Sequence, residues 1–176
     1  MSVTYPAPLE PIGIDAAGKG ALVFVPAIAN PAVGPTVAEI AAGVNLSCAL
    51  YAWNPAGSQS TVERSRYCSR VISESLGKAT YKADPIQYDY DPQDPESDEY
   101  PAYAALIPDT KGYLVDRRGL DYATAMAAAQ IVDIYPVQMG VRSRVAIDVK
   151  QEGDKLRVEQ AVAITGEPFF DVKVTA

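Results

Sequence analysis

Apolar residues along this chain recur mostly at every second position, the period of a strand with one face turned inward. Ala21-Leu-Val-Phe-Val25 is a short apolar run stopped by Pro26 and reads as a buried strand. Leu46, Cys48 and Leu50 alternate with Ser47, Ala49 and Tyr51, and Ile86, Tyr88 and Tyr90 share a face opposite Gln87, Asp89 and Asp91. Gly112–Arg118 and Ile131–Met139 are two further candidates. Leu156–Ile164 sets Leu and Val inward against outward Arg157 and Glu159, and Phe170, Val172 and Val174 alternate with Asp171, Lys173 and Thr175. Seven such runs with turn residues between them predict a mainly β fold, an antiparallel sandwich or barrel.

Two segments break the period. Thr36-Val-Ala-Glu39 has the form of a capping box, in which the threonine hydroxyl and the glutamate satisfy each other's backbone amides. It predicts a short helix closed by Gly43 as the residue after the C-cap. Ser97–Ile107 predicts a second, with Ser97 as N-cap, acids in the first turn, and Tyr103, Leu106 and Ile107 as its apolar face. The expected core is therefore a sheet with one or two short flanking helices. Trp53–Ser60, Gly119–Ala129 and Gly140–Asp154 read as long irregular loops, a length usually reserved for function.

At 176 residues the chain is expected to form a single domain, residues 1–176. Within it, residues 1–17, carrying Pro6, Pro8 and Pro11, read as an extended arm, and 18–176 as the β-rich core. The arm has no basic residue and does not resemble a secretory signal, and no apolar run is long enough for a membrane helix. The net charge is −7 and Lys19 is the only cation in the first 60 residues, which argues against a surface that coats nucleic acid. Cys48 and Cys68 are expected to be reduced and mostly buried. Histidine is absent, which removes Ser-His-Asp and Cys-His catalysis and histidine-ligated zinc together.

Several local patterns carry possible chemistry. Gly13–Gly20 has the spacing of a phosphate-binding loop ending in Gly18-Lys19, but Gly20 stands where Ser or Thr would hold magnesium. Such a loop needs a strand before it and a helix after it. Here prolines precede it and a strand follows, so the expectation is a glycine turn feeding that strand. The stretch 88–100 holds six carboxylates and no cation. Asp89 and Asp91 fit a calcium loop, but Gln93 and Asp94 stand where its third ligand and glycine belong. Asp116, Asp133 and Asp148 lie in or beside candidate strands, the kind of carboxylates a glycosidase would use, although nothing singles out a pair. No cofactor or metal is expected. Arg64, Arg66 and Arg70, and Arg142 and Arg144, form compact basic patches suited to acidic patches on a neighbouring subunit.

From Lys19 onward, in order and spacing, the chain resembles the major tail (tail tube) proteins of long-tailed phages of actinobacteria. The resemblance rests on GKGALVFVPAIANP, PTVAEIAAGVNLSCAL, TVERSRYCSR, DPQDPESDEYPAYAAL, KGYLVDRRG, IVDIYPVQMG and GDKLRVEQAVAITGEPFFDVKV. It implies a structural, non-enzymatic virion protein with a tail tube fold. Subunits of that family form hexameric rings that stack into a tube, with loops and arms joining them and viral DNA passing the lumen without specific binding. It further implies assembly in the host cytoplasm and contact with tape measure and terminator proteins. Arg64, Arg66, Arg142 and Arg144 are the candidate inter-subunit residues. A tail terminator or head–tail connector is the alternative within phage biology. A β-sandwich adhesion module and a carboxylate hydrolase are alternatives outside it.

Overall fold

In the computed structural model, which describes residues 9–95, 97–147 and 153–176, the first apolar run becomes β1 (Gly20–Val25). Every residue of β1 after Gly20 is buried because the strand has a core on each face. Leu22 and Phe24 pack with Leu46, Tyr88, Leu106 and Leu114, whereas Val23 and Val25 pack with Ile40, Val115, Ile134 and Val172. An uninterrupted apolar run, rather than alternation, is what two covered faces require.

The remaining elements are α1 (Val37–Ala41), β2 (Val44–Asn45), β3 (Pro55–Arg64), β4 (Ser73–Ala83), β5 (Ile86–Asp89), α2 (Pro101–Ala105), β6 (Lys111–Arg118), β7 (Ile131–Arg144), β8 (Arg157–Ile164) and β9 (Phe169–Lys173). The main sheet runs β2-β1-β6-β7-β8-β5, antiparallel throughout, with β9 on the free side of β7. The sheet curls until its two edges meet. Leu50, just past β2, bridges Tyr88 of β5, and the Tyr51 amide donates to the Gln87 carbonyl at 3.0 Å. The result is the mainly β, barrel-like fold with two short helices that the period-two pattern implies.

The capping box forms as expected. Thr36 Oγ1 accepts the Glu39 amide at 3.1 Å, and Glu39 Oε2 accepts the Thr36 amide at 2.7 Å. Gly43 has a different reason from the expected left-handed turn. Its φ is not positive, and a Cβ there would lie 2.6 Å from the Phe24 carbonyl oxygen, so glycine is needed for close approach to β1.

Other expectations are corrected. Leu46–Tyr51 is a turn, because Asn45 Oδ1 accepts the Ser47 amide and hydroxyl and the Leu50 amide folds back to the Leu46 carbonyl. The second helix starts at Pro101, not at Ser97. The residue before a proline is driven out of the helical region, and Tyr100 sits at φ −118, ψ 61. Ser97 closes a local turn instead, and Ile107 is exposed while Leu106 is buried. Trp53–Ser60 and Gly140–Asp154 are not wholly loops, since Pro55–Ser60 opens β3 and β7 runs on through Arg144 past a bulge. Asp148 and the first eight residues of the arm lie outside the described residues.

Candidate assembly surfaces

The elements that do not serve the core stand out by exposure. β3 and β4 pair only with each other, and nine of the ten residues of β3 are exposed. Eleven residues at about 3.3 Å each make β4 about 36 Å long. Tyr81 near its base touches Phe170, with ring centroids 6.4 Å apart. Above that point the ribbon projects, and Glu63 lies directly opposite Glu74, a like-charge pair that weakens it. A two-stranded ribbon with no covered face is at best marginally stable in water.

Its tip, residues 65–72, concentrates what a partner would cover. Tyr67 is fully exposed, and Val71 and Ile72 are 73% and 62% exposed. Arg64, Arg66 and Arg70 are exposed beside them and form no ion pair among the described residues. Cys68 is also on this tip and, like Cys48, is exposed and free, contrary to the expectation of buried thiols.

Arg142 and Arg144 sit in a different setting. Arg142 Nη2 donates to the Tyr103 and Leu106 carbonyls at 2.6 and 2.7 Å, and its guanidinium lies 4.2 Å from the Tyr103 ring centre. Arg144 stacks 4.0 Å over Tyr90, which itself stacks on Tyr103. The hydrogen bond and charge of Arg144 hold the Tyr103 phenol below its ordinary value. Together the two arginines tie α2 to the end of β7.

The carboxylates are equally local. Asp116 and Asp133 face each other across β6 and β7, but Asp116 is buried against Arg118 at 2.7 Å and Asp133 accepts the Asp171 amide. Burial raises the Asp116 carboxyl above its ordinary range, Arg118 pulls it down, and Asp133 adds a smaller upward push. Asp89 accepts the Tyr51 hydroxyl and lies 3.7 Å from Lys155, and Asp91 closes a turn on the Gln93 amide. Among the described residues no three metal-ligating side chains gather. At the phosphate-loop motif, residues 9–16 are irregular, Gly18 turns at φ +69, and β1 follows. No helix of the described residues is long and apolar enough to cross a membrane.

Two shallow grooves open on the surface. One, of about 850 Å³, is framed by Ile14, Trp53, Lys19, Asp15, Asp116 and Arg118, and its charges balance. The other, of about 510 Å³, is lined by Val23, Ala49, Pro101, Tyr122, Met126 and Glu99, with Cys48 at its wall. Leu9, Ile12 and Ile14 of the arm are exposed without regular structure.

A curled barrel with a packed core that also displays apolar side chains on a projecting ribbon and an arm has the make-up of a structural building block. The chain belongs to the phage tail tube proteins: the family model of that description matches residues 7–176. That family is structural and non-enzymatic, so this chain is a component of the virion tail that assembles with other copies and tail proteins. No curated protein matches it. The basic tip was legible as a charge pattern. The ribbon beneath it was not, because Ala56–Ser60 and Lys78–Thr80 carry no apolar alternation.

Proposed function

We propose that this protein is the repeating subunit of the tube itself, forming rings, hexameric in the family's manner, that stack around a lumen through which viral DNA passes. The observation that carries this reading is the β3–β4 ribbon, long, without a single buried residue and tipped with apolar and basic residues. Such an element gains stability when another copy covers it. Arg64 and Arg66 contact the neighbour directly, whereas Arg142 and Arg144 contribute by holding α2 in place. The exposed arm residues Leu9, Ile12 and Ile14 supply a second contact. With a net charge of −7, a lumen lined by carboxylates repels phosphates and lets DNA slide. Assembly takes place in the host cytoplasm, on the tape measure protein and up to a terminator.

Negative-stain microscopy of purified protein at rising concentration tests this. Tubes or stacked rings are expected, and replacing residues 65–72 by a two-glycine turn abolishes them while leaving the circular dichroism spectrum unchanged. Rings that never stack would favour the terminator reading. Particles that stay monomeric at every concentration and salt would refute both.

A further inference from the structure

We infer that the 510 Å³ groove beside α2 is the seat for the ribbon tip of a second copy, which deepens the tube reading above and rests on it. The two surfaces match in charge and in polarity. Residues 64–72 hold Arg64, Arg66 and Arg70 and no acid. The segment leading to the groove holds Asp91, Asp94, Asp98 and Glu99 and no cation. Glu99 itself lines the groove, Asp98 beside it is exposed, and neither is ion-paired among the described residues. The apolar side chains of the tip, Tyr67, Val71 and Ile72, need cover, and Val23, Ala49, Pro101 and Met126 offer an apolar floor. The larger groove is a poorer match, because Lys19 and Arg118 stand in its wall and offset Asp15 and Asp116. Opposed charges at the rim over an apolar centre are the usual anatomy of a specific contact. Because tip and groove are different surfaces, the contact is heterologous and generates rings or stacks rather than closed pairs.

The chain carries its own reporters. Cys68 sits on the tip and Cys48 in the wall of the groove, and these are its only cysteines. Assembled protein is treated with a short bismaleimide and resolved on a denaturing gel, with microscopy of the same sample. The expected result is a ladder of covalent multimers whose linked peptides join Cys48 to Cys68. Neither C48S nor C68S alone forms cross-linked species, but their mixture gives dimers and nothing larger. Cross-linking of C48S with itself, or tubes without any 48–68 link, overturns the assignment and leaves the tube reading intact. Absence of any particles overturns both.

Discussion

The most informative single substitution lies inside the barrel, at Gln160. Its side chain is fully buried on β8 and joins three elements. Oε1 accepts the Tyr88 hydroxyl of β5 at 2.6 Å, and Nε2 donates to the Leu106 carbonyl at the end of α2 and the Gly140 carbonyl of β7, each at 2.9 Å. Gln160→Leu keeps the approximate volume and removes all three bonds. The Leu106 carbonyl retains Arg142 as donor and Arg142 also lies beside the Tyr88 oxygen, so what is left wanting is the Tyr88 O–H donor and the Gly140 carbonyl. At about 1–3 kcal/mol for each orphaned buried group, the expected loss is about 2–6 kcal/mol. A loss near ~3 kcal/mol lowers the melting temperature of a chain this size by about 6–12 °C. Tyr88→Phe removes one bond only and costs about 1–2 kcal/mol. Urea unfolding followed by circular dichroism, on both single variants and the double, supplies the comparison. The double variant is expected to cost clearly less than the sum, because the two side chains share a bond. A Gln160→Leu cost below 1 kcal/mol, or strict additivity, would show that this network does not hold the barrel together.

Two further predictions concern the segment between β1 and β2. Hydrogen bonds from the Thr36 and Ala29 amides hold the Glu39 carboxyl below its ordinary 4.5. The ionised form is therefore favoured by folding, and its contribution is present above that value and lost as pH falls through the lowered one. Glu39→Gln should cost about 1 kcal/mol at pH 7 and progressively less below pH 4.5, in parallel thermal melts. Gly34→Ala should be far worse, because Gly34 sits at φ +120 and a Cβ would lie 1.9 Å from the Lys173 carbonyl oxygen. Relief means lifting this segment off the C-terminal strand and breaking the Thr175–Pro35 and Val37–Thr175 backbone bonds. A loss of about 3 kcal/mol or more is expected, and an unchanged melting temperature would refute the close contact.

What could be read from the sequence follows from what leaves a mark in it. Strands packed against the core carry period-two or continuous apolar runs, so β1, β5, β6, β8 and the first part of β7 were legible. So was the capping box, since its two partners are local. The β3–β4 ribbon buries no face, and Ser58, Gln59 and Ser60 look like loop residues for that reason. At Leu46–Tyr51 the alternation was present, but Asn45 and Ser47 bent the chain through side-chain bonds that outcompeted pairing. The basic tip was visible as charge, whereas its groove is assembled from four separate stretches and has no linear signature. Arg142 and Arg144 looked like their counterparts on the tip. Only the fold brings Tyr90 and Tyr103 beneath them.

Arg117 has one more consequence. It is wholly buried, and its guanidinium nitrogens donate to the carbonyls of Asp121, Thr124 and Ala125 and to the amide oxygen of Gln130. The loop between β6 and β7 is thus gripped almost entirely by its main chain, by a cation that stays protonated at any accessible pH. Backbone carbonyls are the same whatever residue bears them. Outward side chains such as Tyr122 can therefore be exchanged without loosening the loop's shape, which makes this wall of the groove a place where contacts can be rewritten while the scaffold stays fixed.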